Sequence, residues 1–226
     1  MMDTLHRRFY TFFVKRVLRR YLSRTRNFSL DGLSLKVYPG VFHPAYFFSS
    51  GVFSEFIKTL ALKDRSVCDV GCGSGILGLI AYQRGARVTS LDISASAVNN
   101  TRENFINNFG YSEKYKVLTS DLFSAVPDQC FDFIFINPPY FFKDPVSESE
   151  HAWYCGKNGE YFKQLFSQLS RHTTPSSKTY IILADNCDLA AISGIAGMYN
   201  YSLNVVREQK VKWEKNYIFN ITISNG

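Results

Sequence analysis

The chain's most constraining feature is Asn137-Pro138-Pro139-Tyr140, which closes the apolar run Phe131-Asp132-Phe133-Ile134-Phe135-Ile136. Alternating aromatic and β-branched residues predict a buried strand there, and two prolines end it because neither can donate a ladder hydrogen bond. A rigid loop therefore follows at the strand's carboxyl end, where open α/β sheets place their ligands. That loop offers the amide oxygen of Asn137, the carbonyl of Pro138, Pro139 and the flat ring of Tyr140. Two acceptors beside an aromatic face suit a planar group that bears an NH2.

Around this junction, strand and helix patterns alternate. Strands are predicted over 66–70, 87–91, 115–119, 131–136 and 178–184, and helices over 52–62, 76–83, 94–109, 160–170 and 188–199. Two extended runs, 201–210 and 217–224, joined by a turn at 214–216, read as a terminal hairpin. The alternation predicts a doubly wound, mostly parallel α/β sheet, to which the hairpin adds antiparallel strands. Asn27 to Tyr38, with its turn at Asp31-Gly32, reads as a short lead-in hairpin.

Asp69-Val70-Gly71-Cys72-Gly73-Ser74-Gly75 lies where the first of these strands turns into its helix. Glycines at 71, 73 and 75 admit a ligand close to the backbone, and the helix start aims N–H groups at it. A dinucleotide pattern is also present, Gly73-Ser74-Gly75-Ile76-Leu77-Gly78. Asp69 weighs against a pyrophosphate, which it would repel, and fits a cationic ligand portion instead. Asp92, followed by Ile93, ends the second strand where a carboxylate can accept from ribose hydroxyls. Asp121, followed by Leu122, ends the third, where it can accept from an adenine amine. A glycine loop with acids on the next two strand tips predicts a nucleoside site.

The motifs Asp69-x-Gly71-x-Gly73-x-Gly75, Asp92, Ser120-Asp121-Leu122-Phe123 and Asn137-Pro138-Pro139-Tyr140 resemble those of class I S-adenosylmethionine-dependent methyltransferases. Within that class they are similar to the small-domain Asn-Pro-Pro-Tyr group of release-factor glutamine and rRNA or DNA amino-methyltransferases. The resemblance covers residues 33–185 and implies a seven-stranded Rossmann-like sheet. It implies S-adenosyl-L-methionine as cofactor, S-adenosyl-L-homocysteine as product and no metal. Cofactor contacts would come from Asp69, Gly71, Gly73, Gly75, Asp92, Ile93, Asp121, Leu122 and Asn137. Asn137, Pro138 and Tyr140 would be catalytic, and Pro139, Tyr140, Trp153 and Phe42 would meet the acceptor. Pro39-Gly40-Val41-Phe42 is similar to a segment of the rRNA guanine enzymes, and residues 152–159 to the Ala-Trp-x-Gly-Gly-x-x-Gly stretch of the eukaryotic and archaeal-type release-factor methyltransferases, with Cys155 in place of a glycine. The 137–157 loop reads as a lid or acceptor-binding segment.

Charge separates one segment from the rest. Residues 1–30 hold eight Lys and Arg (7, 8, 15, 16, 19, 20, 24, 26) against Asp3, so the whole excess of +7 sits there. The apolar positions 5, 9, 12, 13, 17 and 21 predict a basic amphipathic helix over 4–22. The division expected is this arm at 1–30 and a methyltransferase domain at 31–226. Such an arm suits nucleic acid or an acidic membrane surface, or simply covers a flank. No run approaches ~20 apolar residues, so no membrane span is expected. Five cysteines without a C-x-x-C pair fit reduced thiols of a cytoplasmic protein. The acceptor stays open between a macromolecular NH2 (protein glutamine, or a base in RNA or DNA) and a small metabolite, with a non-catalytic adenosine binder as the third reading.

Overall fold

A computed structural model describes residues 24–41, 43 and 48–224. The helix expected over 4–22 and the acceptor candidate Phe42 lie outside these residues. Strand β1 (Arg26–Leu30) pairs antiparallel with β2 (Leu33–Val37). The two turn residues, Asp31 and Gly32, have φ of 53° and 78°, the left-handed pair that a two-residue hairpin loop requires. The boundary expected after residue 30 falls at the turn of this hairpin.

Helix α1 (Phe48–Ile57) follows, starting four residues earlier than the apolar pattern predicts and ending at Ile57 rather than near 62. Then come β3 (Ser66–Val70), α2 (Ile76–Gln83), β4 (Arg87–Asp92), α3 (Ala95–Phe109), β5 (Tyr115–Thr119) and β6 (Phe133–Ile136). The chain continues with α4 (Glu160–Leu169), β7 (Lys178–Ala184), α5 (Leu189–Met198), β8 (Tyr201–Val211) and β9 (Glu214–Ile223). Among the described residues the main sheet has seven strands in the order β5-β4-β3-β6-β7-β9-β8. The first five are parallel, and β9 inserts antiparallel between β7 and β8. The doubly wound sheet with its terminal hairpin stands as the sequence predicts. The hairpin turn does not: it is Lys212-Trp213, with Lys212 at φ 55°, two residues before the predicted one. Its two-residue loop places Val211 opposite Glu214.

Order reversal between β3 and β6 opens the crevice in which such sheets bind ligands. Buried apolar layers flank the sheet. One contains Phe53, Leu79, Ile80, Phe105 and Phe135, and the other Phe123, Ile134, Phe162 and Phe166.

Helix α3 does unusual work for a surface-facing element. Asn100, Asn104 and Asn108 recur every four residues, so they stack on one face. Their Oδ1 atoms accept from Tyr38, Lys36 and Ser34 N–H at 3.0, 2.8 and 2.8 Å. Their Nδ2 groups donate back to the carbonyls of Lys36, Lys36 and Ser34. The ladder acts as a surrogate strand that satisfies the outer edge of β2. It also fixes the Pro39-Gly40-Val41 segment beyond β2.

Candidate functional site

The strand tips of β3, β4, β5 and β6 open into a cavity of about 760 Å3. Its floor is the glycine loop, with Gly71 and Gly73 at φ of 72° and 54°. Helix α3 holds that loop from behind: Thr101 Oγ1 donates to the Gly73 carbonyl at 2.9 Å, and Asn104 Nδ2 to that of Ser74 at 2.9 Å. The Asn face that anchors the hairpin thus also shapes the floor.

Asp92 sits on the wall at the tip of β4. Its Oδ2 accepts from Gly73 N–H and its Oδ1 from Ser94 N–H, both at 2.9 Å. Burial lifts its carboxyl above the ordinary value while those two N–H groups pull it down. The carboxylate is therefore locked in place, with remaining lone pairs available to hydroxyls in the cavity. Ile93 and Leu122 line the same wall. Leu122 adopts φ 49°, and its carbonyl accepts from Ser120 Oγ at 2.8 Å. Asp121 completes this side and accepts from Gln164 Nε2 at 3.0 Å.

Asn137, Pro138 and Pro139 form the opposite lip. The Asn137 Nδ2 group donates to Ser50 Oγ at 3.3 Å and Ser49 Oγ at 3.4 Å, both on the first turn of α1. Among the described residues its Oδ1 takes no protein donor, so an acceptor oxygen and the Pro138 carbonyl remain available at one corner.

The 137–157 loop crosses the mouth. It is braced by Phe141 N–H to the Trp153 carbonyl, 3.1 Å, and Cys155 N–H to the Phe141 carbonyl, 2.9 Å. Glu148 Oε1 accepts from Ser94 Oγ at 2.8 Å, tying the loop to the tip of β4. His151 and Tyr154 also line the cavity.

Four of the sequence candidates sit elsewhere than expected. Asp69 is 1% exposed and off the cavity wall. Strand alternation puts Val70 on the wall and turns Asp69 toward α2, where its Oδ2 accepts from Gly78 N–H at 3.0 Å. Burial pushes its carboxyl up to about 7, against that N–H. Gly75 is likewise off the wall: at φ 84° it turns the chain into α2, and a Cβ there would lie 2.8 Å from Thr101 Cγ2. Tyr140 is buried, its ring edge-to-face with Phe141 at 4.9 Å, so its face is packed into the apolar layer. Trp153 is half-buried and does not line the cavity, and its carbonyl braces the loop by accepting from Phe141 N–H.

Sequence reasoning missed Ser49, Ser50, Glu148 and Gln164, and above all Tyr161. This residue of α4 lines the cavity, and among the described residues its buried hydroxyl has no hydrogen-bond partner. Burial, then the charges of Asp92 and Asp121, push the phenol well above its ordinary range. A buried hydroxyl without a partner is costly unless a ligand completes it. Among the described residues no three His, Cys, Asp or Glu side chains gather as a metal cluster. No described helix is long and apolar enough to cross a membrane.

A family model, Methyltransferase small domain, matches residues 33–153. The chain is 39% identical over 118 residues to the ribosomal RNA small subunit methyltransferase C of Shigella flexneri, covering 50% of this chain and 32% of that protein. It is 32% identical over 127 residues to the tRNA1(Val) (adenine(37)-N6)-methyltransferase of Shewanella loihica, covering 53% and 52%. The chain thus spans about half the length or less of these relatives. A T. thermophilus 16S rRNA methyltransferase solved with AdoMet and guanosine shares the fold, with a TM-score of 0.60 and 17% identity over 87% of this chain and 50% of that one.

Proposed function

The chain belongs to the methyltransferase small-domain family, and from that premise we propose that it is an S-adenosylmethionine-dependent N-methyltransferase acting on the exocyclic amino group of a base in RNA. The observation that carries this reading is the shared cavity. It joins a glycine floor and a locked strand-tip carboxylate to an acceptor corner at Asn137 and Pro138.

The residues fit the cofactor. A cavity of about 760 Å3 has the size of a small-molecule site. Asp92 would take the ribose hydroxyls and Asp121 the adenine edge, and the Tyr161 hydroxyl, unpartnered among the described residues, lines the same cavity. When bound, S-adenosylmethionine supplies a methyl group already activated by its sulfonium. The protein's part is then alignment rather than acid–base chemistry. Asn137 Oδ1 and the Pro138 carbonyl accept the two N–H bonds of the acceptor, turning the nitrogen lone pair toward the cavity. The nitrogen's surplus proton leaves to solvent after transfer.

A base is favoured over a glutamine amide because the curated relatives named above are rRNA and tRNA methyltransferases. The eight basic residues of 1–30 supply the phosphate attraction such an acceptor calls for. The free cysteines and an RNA acceptor support a cytoplasmic setting for this work. The test is labelled methyl transfer into a cell extract treated in parallel with nuclease, protease or dialysis. Loss of the labelled product on nuclease treatment is expected. Loss on protease treatment alone, or on dialysis, would replace the acceptor with a protein amide or a metabolite.

A further inference from the structure

The turn between β8 and β9 places a large ring in solvent. Trp213 is 78% exposed. Its ring lies edge-to-face with Phe48 at 6.0 Å and 80°. Lys212 Nζ sits 5.2 Å from the Phe48 ring centroid and 5.6 Å from that of Trp213. Lys212 makes no ion pair among the described residues.

This patch adjoins the acceptor corner. Phe48 opens α1, and the next two residues, Ser49 and Ser50, hold the amide of Asn137. On the other side, Glu214 follows Trp213 and lies close enough to Tyr140 for its charge to act on the phenol. From these placements, and resting on the RNA reading above, we infer that Lys212 and Trp213 form a stacking platform for an unpaired nucleotide beside the base being methylated. Duplex RNA keeps its base faces inside the stack, so an exposed indole favours a single strand. Aromatic stacking is indifferent to base identity, and a neighbouring cation attracts the phosphate. The platform would hold the flanking strand while the acceptor base enters the cavity.

The full chain supplies its own reporter, since it has two tryptophans. In a Trp153→Phe background, titration with a short single-stranded RNA of mixed sequence is expected to quench Trp213 emission, and the duplex of that sequence to quench it less. Trp213→Ala should weaken RNA binding by about 5- to 150-fold, and Trp213→Phe should restore most of it. Lys212→Gln should lower the slope of log affinity against log salt by about one. Affinity for S-adenosylhomocysteine should stay at the wild-type value in all three, reporting an intact fold. RNA labelled equally well by wild type and Trp213→Ala, with no quenching, overturns the platform and leaves the RNA reading standing. Absence of RNA labelling, with label entering protein instead, overturns both.

Discussion

Replacing Tyr161 with Phe removes one oxygen from a ring whose hydroxyl is buried without a partner. The structure then predicts two effects of opposite sign. Without ligand, the folded chain no longer carries an unsatisfied polar group, which costs about 1–3 kcal/mol. For a chain of this size each kcal/mol moves the melting temperature by roughly 2–4 °C, so the variant should melt higher by at least that amount. With ligand, the same substitution deletes a donor that lines the cavity with Asp92 and Asp121. A lost bond of about 0.5–1.5 kcal/mol weakens binding by about 2- to 13-fold. Thermal melts of both proteins, with and without saturating S-adenosylhomocysteine, and calorimetric titration measure the two arms. A variant that melts lower without ligand would mean the hydroxyl already has a partner. A variant that melts higher yet binds the ligand unchanged would mean the hydroxyl does not reach it. Either result refutes the reasoning, because a group that merely fills space moves both states together.

Other perturbations separate the roles of neighbouring groups. Asn137→Ala should cut methyl transfer by about 100- to 1,000-fold while S-adenosylhomocysteine still binds, because it removes an oriented acceptor at the nitrogen. The double change Ser49→Ala with Ser50→Ala should cost transfer on the order of 10-fold or more through misorientation of that amide, with the cofactor KM unmoved. Gly75→Ala forces φ 84° on a residue with a Cβ that would lie 2.8 Å from Thr101 Cγ2, so denaturant titration should show a loss of about 1–3 kcal/mol. Asp69 gives a pH signature: its carboxyl is raised by burial from 3.8 to about 7, so its contribution is complete below the lower value and is lost as pH rises through the upper. Wild type should therefore lose stability relative to Asp69→Asn between those values, by at most about 4 kcal/mol, read from urea melts across the range.

Much of the fold and the broad site was legible because local rules decide it. Alternating strand and helix patterns admit few layer arrangements, and the prolines at 138 and 139 leave no choice about where β6 stops. The hairpin turn was misplaced because Lys212 takes a left-handed conformation without the glycine or asparagine that usually announces one. Asp69 and Tyr140 show a different limit. Each stands beside a residue on the cavity wall, Val70 in one case and Pro139 in the other. Position at a strand tip places the backbone there. Which of two neighbouring side chains faces the ligand depends on what packs behind them, and that is settled by distant elements.

Apart from Tyr161, the residues that escaped the sequence share one property: each acts across a long stretch of chain from a place where a polar side chain looks unremarkable. Ser49 and Ser50 reach an asparagine 88 and 87 residues away. Asn100 and Asn104 reach Tyr38 and Lys36, 62 and 68 residues away. On a helix, such residues read as a solvated face. Here that face of α3 serves as the missing edge strand for β2 and as the scaffold of the glycine floor, two tasks whose geometry must agree. Asn104 performs both, accepting from Lys36 N–H and donating to the Ser74 carbonyl. Movement of the lead-in hairpin would therefore be felt at the ligand floor through one buried amide. This coupling gives the hairpin a part in the site that its position outside the main sheet does not disclose.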